Sequence, residues 1–191
     1  MKIGTKSILF GAHCFMIHPV FVLVAWCKLY GFPWDPRLWI AFFVHDLGYW
    51  GKPNMDGSEG ETHPELGAKI MGIFGKPWAD FTKYHSKSYA KRNHVSYSRL
   101  CVADKLAASM EPDWLYLPRV KWSGEIYEYM SMAIEGLENG APFDEYESLL
   151  IKTNDPLLWH WGIQSYMRRW AYEHKDCKPD KWTPIKDIKN I

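Results

Sequence analysis

Residues 42–52, FFVHDLGYWGK, place an adjacent His45–Asp46 pair directly after a run of large apolar side chains. Buried imidazole and carboxylate groups are rare unless they are paired with each other or hold a metal ion. The apolar run follows Asp35-Pro36, which is typical of a helix N-cap and a first-turn proline. The stretch therefore predicts a buried helix that delivers a functional or metal-binding pair at its end.

Helical periodicity continues on both sides of this stretch, and no convincing pair of strands accompanies it. Start and stop signals of the same kind bound each apolar segment, including a Thr62–Glu65 capping-box pattern and an Asp155-Pro156 start. Trp159 and Trp170 are spaced to share the core face of the last helix. The predicted helices cover 18–30, 36–46, 63–74, 77–92, 98–110, 123–137, 143–152 and 155–174.

Length and composition favour one globular domain. The chain has 191 residues, of which 47% are apolar and 24% charged, so a full core can be buried. The predicted fold class is all-α. We expect a single helical bundle over 1–175, with a helical extension from about 120 and a charged tail over 176–191. The formal charge of +1 provides no overall attraction for nucleic acid or anionic membrane.

The N-terminal apolar segment and the cysteines bear on where the protein acts. His13, His18 and Pro19 interrupt the apolar segment, and no small-residue cleavage site follows it, so neither a signal peptide nor a transmembrane helix is predicted. The four cysteines are scattered and form no CxxC motif, which indicates reduced thiols. The expected localisation is cytoplasmic.

A set of metal-ligand residues is spread over five successive predicted helices. Imidazole and carboxylate together suit divalent cations such as Zn, Fe and Mn, and a helical bundle can gather such side chains inward. A single histidine is more often a core or surface residue, so the prediction depends on the whole set. Its members are His18, His45, Asp46, His63, His85 and Asp104.

The order of these residues resembles the H…HD…D signature of the HD-domain metal-dependent phosphohydrolases. VHDLG at 44–48 resembles the HD core, VADKLA at 102–107 the segment with the final Asp, and His18 lies 27 residues before His45. HPELGA at 63–68 and YHS at 84–86 resemble the two further histidines of the family's two-metal subset. The resemblance covers roughly 10–110. It departs from the HDxGK pattern common in the family by displacing the lysine to Lys52, and it lacks the GYP motif of the family's cyclic-dinucleotide branch.

This resemblance implies an HD-type helical domain that holds one or two divalent ions (Mn, Fe, Zn, Co, Ni or Mg) on the six residues. His45 and Asp46 would be the catalytic pair, with Asp46 bridging if two ions bind. The implied activity is a hydrolase that cleaves a phosphoester or phosphoanhydride of a nucleotide or another small phosphorylated compound by metal-activated water. No nucleic-acid polymer is indicated as a partner. The basic residues considered for substrate binding are Lys52, Lys87, Lys91, Arg92, Arg99 and Lys105.

Two other functions remain open at this stage. Some HD-fold proteins resemble this chain in their H…HD…H…H…D set but use two irons to activate oxygen, and bound mixed-valent iron would favour that class. A non-catalytic HD-type protein could instead use the Trp-rich C-terminal third to bind a partner. Release of phosphate in the presence of Mn, Co or Ni would favour the hydrolase.

The spacing makes a prediction about the first ligand. His18→Ala should lower the metal content of the purified protein, whereas His13→Ala should leave it near the wild-type value. The reason is that His18, and not His13 five residues earlier, lies at the family's distance from His45. Elemental analysis of the two variants measures this. The opposite order would show that the register across the first helix is wrong.

Overall fold

The computed structural model describes residues 1–185, and within this range the chain is all-α, as predicted. Eleven α-helices and three short 3-10 turns form there without any strand. None of the described helices is both long and apolar enough to cross a membrane. The predicted tail extends to 191, and its last part, 186–191, lies outside the described residues. The helices are α1 (Ile3–Phe10), α2 (His18–Tyr30), α3 (Pro36–Val44), α4 (Pro64–Met71), α5 (Lys76–Lys83), α6 (Lys87–Arg92), α7 (Arg99–Ala108), α8 (Asp113–Ser123), α9 (Glu125–Glu138), α10 (Glu145–Ile151) and α11 (Pro156–Glu173).

Helix starts with a side-chain cap were predicted best. Asp35 accepts a hydrogen bond from the Arg37 amide at the start of α3, and Asp155 accepts from two amides at the start of α11. Ser98, one of two serines considered for α7, accepts from the Cys101 amide. Each cap satisfies backbone donors that the first helical turn leaves without partners.

Two predicted helix starts or spans were wrong. The segment 77–92 is not one helix, because Ser86 caps a new helix and separates α5 from α6. The Thr62–Glu65 capping box does not form. The Thr62 hydroxyl instead donates to the Glu59 carbonyl, and α4 begins at Pro64. Both differences place a histidine in a turn just outside a helix.

Helices α1 and α8 were not predicted. No side-chain cap marks the start of either one. Helix α8 also contains Pro118, a residue that normally ends a helix because it lacks an amide hydrogen. Their formation depends on packing against each other and on the rest of the bundle, which local sequence signals do not report.

Helix α7 is the central element of the larger core. Its apolar residues from Leu100 to Ala107 are almost completely buried, and it packs between α2 and α11. Val22 of α2 and Trp170 of α11 belong to the same core cluster. As predicted, Trp159 is also buried, in a second cluster with Val120 of α8. Since α7 is surrounded by apolar neighbours, a charged residue on it must be held by specific partners.

Residues 176–185 return to the bundle and pack on α6 and α11. The Asp180 carboxylate accepts hydrogen bonds from the Trp170 indole at 3.2 Å and from the Thr183 amide at 2.9 Å. The Lys91 ammonium lies 2.9 Å from the same carboxylate, and the Lys87 ammonium lies 3.4 Å from it. This part of the chain therefore encloses two lysines.

The backbone of α4 approaches the turn after α3 very closely. A Cβ atom added at Gly48 would lie 1.9 Å from the carbonyl oxygen of His63, and one added at Gly67 would lie 2.6 Å from the carbonyl oxygen of Val44. Real Cβ atoms do not approach backbone atoms this closely, so both positions require glycine. The two glycines bring the His45–Asp46 turn next to the chain that carries His63.

Gly48→Ala is expected to destabilise the fold by about 2 kcal/mol or more, because the added methyl group would push two backbones apart in a packed region. The matched control is Gly72→Ala. Gly72 has a helical backbone, and its added Cβ would meet only the Ala79 Cβ at an ordinary 3.8 Å. Chemical denaturation of both variants gives the comparison, and equal stabilities would contradict the close approach.

Candidate metal centre

The structure brings all six predicted ligands together in the interior. They come from different elements: His18 begins α2, His45 and Asp46 follow α3, His63 precedes α4, His85 lies between α5 and α6, and Asp104 lies on α7. All six are buried. They form two sets in which the candidate ligand atoms lie within 4.8 Å of one another. These sets are His18, His45, Asp46 and Asp104, and Asp46, His63 and His85.

The first set is organised around two carboxylates. His18 Nε2 lies 2.9 Å from Asp104 Oδ1 and 3.5 Å from Asp46 Oδ2. His45 Nε2 lies 3.0 Å from Asp46 Oδ2 and 3.8 Å from Asp104 Oδ1. Two imidazole nitrogens and two carboxylate oxygens thus converge on one small volume.

The second set uses the other oxygen of Asp46. Asp46 Oδ1 lies 3.3 Å from His85 Nε2 and 3.7 Å from His63 Nε2, and these two nitrogens are 3.1 Å apart. Asp46 therefore presents Oδ2 to one set and Oδ1 to the other. This is the arrangement expected of a carboxylate shared between two cations.

Three of the four histidines are oriented by backbone carbonyl groups. The Nδ1 atom of His45 donates to the Phe42 carbonyl at 3.0 Å, that of His63 to Gly60 at 2.9 Å, and that of His85 to Thr82 at 2.5 Å. A carbonyl oxygen can only accept, so each Nδ1 must carry the hydrogen. In the neutral ring the Nε2 lone pair then points into the centre. Such second contacts orient histidine ligands in metal sites.

This arrangement leaves polar atoms that need a cation. His45 Nε2 and Asp46 Oδ2 are buried 3.0 Å apart, in a geometry that forms no hydrogen bond. His63 Nε2 and His85 Nε2 face each other as two acceptors when both rings are neutral. A buried polar atom without a partner costs about 1–3 kcal/mol, so the set is unfavourable unless a proton or metal ion is shared. Nitrogen and carboxylate donors fit one or two divalent cations.

The electrostatics keep both aspartates charged. Burial raises the pKa of Asp46, but the positive charges of His45 and His13 outweigh it, and the pKa lies well below its usual value. The pKa of Asp104 is likewise well below its usual value, because burial is opposed mainly by the adjacent Lys105 ammonium. Two buried carboxylates in the same place therefore retain a negative charge that a cation can neutralise.

His45 and His63 differ in the direction of their pKa shifts. Burial lowers the pKa of His45, but Asp46 and Asp104 outweigh it and raise the value to about 10. Burial, together with the neighbouring His85, lowers the pKa of His63 well below its usual value. A proton on His45 thus takes the role of a cation in the first set, and metal binding must release it. His63 is neutral and ready to act as a ligand.

Two of the basic residues considered for substrate binding lie next to the centre. The Lys105 ammonium is 2.7 Å from Asp104 Oδ2, and its side chain is 29% exposed. The Lys52 ammonium donates to the Thr62 hydroxyl, beside His63. Lys105 therefore lies between the centre and solvent.

The other four basic residues have different surroundings. Lys87 and Lys91 pair with Asp180, and the Lys87 ammonium also lies 4.0 Å from the centre of the Trp170 ring. Arg99 lies over the Tyr30 ring at 5.2 Å, and Arg92 is the last residue of α6. The structure thus directs Lys87 and Lys91 to the C-terminal segment, and the reason is the buried Asp180 carboxylate, which the sequence pattern did not reveal.

Several residues around the centre were not among the predicted site residues. The Tyr49 ring stacks on the His63 ring, with centroids 4.0 Å apart, and contacts the His13 ring at 4.6 Å. His13 Nε2 lies 3.9 Å from Asp46 Oδ2, and Glu125 lies behind His13. Tyr49 is within the HD stretch and could have been found there. Glu125 belongs to no motif, so no local signal identified it.

Comparisons with known proteins add no identification. No family model matches the sequence, and neither the curated proteins nor the solved structures give a match. The resemblance to HD-domain phosphohydrolases consequently depends on the motifs and their order.

The shared carboxylate predicts two ions per chain. Wild-type protein saturated with Mn should hold two ions about 3.5–4 Å apart, the separation typical of two-metal sites. His63→Ala should hold about one, because it removes a ligand from the second set and none from the first. Elemental analysis after removal of free metal measures both values.

His174→Ala is a suitable control, because the His174 ring is bound to the Trp170 carbonyl on α11 and not to the centre. It should retain the wild-type metal content. One ion in both wild type and His63→Ala would exclude the two-ion interpretation.

Proposed function

We propose that the protein is a metal-dependent phosphohydrolase that acts on a nucleotide or another small phosphorylated compound. The observation that carries this proposal is the Asp46 carboxylate, whose two oxygens face two separate histidine sets. Two divalent ions held there would lower the pKa of a coordinated water and neutralise phosphoryl oxygens. The order of the six ligands supports the same function, since it resembles the HD-domain hydrolases.

The protein residues supply orientation and charge. The carbonyl contacts of His45, His63 and His85 hold the imidazole rings, so little rearrangement is needed when ligands are engaged. Lys105 adds a positive charge beside Asp104, on the side that is partly exposed to solvent. A cation at this position favours an anionic substrate.

The depth of the centre favours a small substrate. All six ligands are buried, whereas the side chains of His13 and Lys105 are 18% and 29% exposed. These two residues mark where the centre meets solvent. A phosphoryl group on a small molecule can reach a buried centre more easily than the backbone of a folded polymer.

A second function is supported by the same ligands. Four imidazoles and two carboxylates, one of them shared, also suit a di-iron centre that activates oxygen. The donor types do not separate the two functions, so the test must include iron and oxygen.

The test is release of phosphate from a panel of nucleotides and small phosphoesters, with Mn, Co, Ni, Zn or Fe added to metal-free protein. We expect hydrolysis that depends on metal. Asp46→Asn should reduce the rate by at least about 100-fold, because the shared charge is lost while the helices remain intact. Phosphate release and circular dichroism are measured together.

Asp155→Asn is the matched control, because asparagine caps a helix as well as aspartate does and α11 should be unchanged. This variant should hydrolyse at the wild-type rate. Hydrolysis that persists in Asp46→Asn would contradict the proposal. Oxygen consumption by iron-loaded protein without phosphate release would favour the di-iron oxygenase.

A further inference from the structure

Glu125 is a fully buried carboxylate whose hydrogen-bonding capacity is completely used. Oε1 accepts from the Ala12 amide at 2.7 Å and from the Ser123 hydroxyl at 2.7 Å. Oε2 accepts from the Ser7 hydroxyl at 2.5 Å and from the Tyr129 hydroxyl at 3.1 Å. Four donors around one side chain fit an ionised carboxylate, which has four acceptor sites and no hydrogen to donate.

The ionised state of Glu125 agrees with its surroundings. Burial raises the pKa of this carboxyl group, and the hydrogen bonds from the Ser7 and Ser123 hydroxyls are among the contacts that lower it. Gly11 makes room for the group, because a Cβ atom at this position would lie 1.9 Å from Glu125 Oε1. The chain therefore surrounds Glu125 closely on the side away from the metal centre.

The ionised state of Glu125 determines the direction of the hydrogen bond between Ser7 and His13. Ser7 has one hydroxyl hydrogen and gives it to Glu125, so its oxygen can only accept from other groups. This oxygen lies 2.9 Å from His13 Nδ1 and 3.3 Å from the His13 amide. His13 Nδ1 must therefore donate to Ser7. In the neutral ring the remaining nitrogen, Nε2, carries the lone pair.

His13 Nε2 faces the metal centre. It lies 3.9 Å from Asp46 Oδ2, and neither candidate ligand set includes His13. The ring lies against Tyr49 at 4.6 Å between centroids, so it is restrained on one face by Tyr49 and at Nδ1 by Ser7. The geometry provides a fixed hydrogen-bond acceptor next to the shared carboxylate, at the edge that solvent reaches.

We propose that the Glu125–Ser7 pair fixes the tautomer of His13 so that its Nε2 accepts a hydrogen bond from the water that attacks the substrate. His13 is then a catalytic residue, and Glu125 and Ser7 are positioning residues that act through it. This inference rests on the proposed hydrolytic function. The form of His13 that acts is the singly protonated ring, whose hydrogen the contact with Ser7 places on Nδ1.

Glu125→Gln provides a direct test of the direction of the hydrogen bonds. The Ala12 amide can only donate, so the glutamine oxygen must face Ala12 and the glutamine NH₂ group must face Ser7. The NH₂ group then donates to Ser7, and the Ser7 hydroxyl turns to donate to His13 Nδ1. The hydrogen on His13 should consequently move from Nδ1 to Nε2.

The tautomer is read from the imidazole ¹⁵N chemical shifts of Zn-loaded, isotope-labelled protein. The measurement is made at about pH 8, above the usual pKa of a histidine side chain. The signal that is absent from His13→Gln identifies His13. We expect a protonated Nδ1 in the wild type and a protonated Nε2 in Glu125→Gln. The control is Glu128→Gln, one turn further along α9, whose carboxylate accepts from the Met55 amide. It should keep the wild-type tautomer. A protonated Nε2 in the wild type would refute the relay.

Kinetics with the preferred phosphoester then test the role of His13. His13→Gln should lower kcat by about 100-fold, a typical contribution of a positioned proton-accepting group, with KM and metal content near wild type. Glu125→Gln and Ser7→Ala should each lower kcat by about 10-fold or more, as expected for groups that orient a catalytic residue.

The possible failures are distinguishable. Loss of metal from His13→Gln would make His13 a ligand and refute the proposal. A wild-type kcat in folded His13→Gln would refute it as well, while leaving the hydrolytic function intact. If the wild type hydrolyses no phosphoester in the panel, the proposed function itself is refuted, and the role of His13 in orienting water is refuted with it.

Discussion

The helical bundle is organised around the buried, ionised carboxylate of Asp46. A charge in the interior is tolerated only when other groups compensate it. Here four histidines surround the carboxylate, His45 from the same turn and three from other elements. Each helix is placed so that its end, rather than its middle, reaches this carboxylate. The Nδ1 atoms of His45, His63 and His85 are each held by the backbone carbonyl three residues earlier. The packing of the bundle therefore also sets the geometry of the centre.

Close approach of the backbone makes this arrangement of turns possible. The turn after α3 and the start of α4 could not meet if Gly48 carried a side chain. Gly11 plays the same part behind His13, where it leaves room for Glu125. Around these positions the core is built from large side chains of α2, α7 and α11, which fix where α7 places Asp104. Small residues set the distances at the centre, and large residues hold the helices that carry it.

Much of this could be predicted from the sequence. The all-α class followed from helical periodicity, and α3, α7 and α11 began at side chains whose capping role is local. The six candidate ligands were predicted because their order forms a pattern, and the structure brings them together. These features are encoded over short distances or in a fixed sequence order.

The features that were missed depend on contacts between distant parts of the chain. Glu125 is separated from Ser7 by 118 positions, and nothing near either residue indicates that they meet. Lys87 and Lys91 were predicted to bind substrate, and the structure pairs both with Asp180, 93 positions from Lys87. Pro118 in α8 opposed the helix that tertiary packing nevertheless forms. In each case the stabilising contact is with a residue that is distant in the sequence, and local patterns do not indicate such contacts.

The large sequence separation of His18 and Asp104 affects how the folded chain is stabilised. These two residues are 86 positions apart, and the four cysteines are all free, so no covalent bond joins distant segments. An ion shared by His18, His45, Asp46 and Asp104 would act as a non-covalent cross-link that closes this long loop. Closing a long loop removes much of the conformational entropy of the unfolded chain. The centre would then serve as the protein's equivalent of a disulfide, one that a chelator can open without any change in redox conditions.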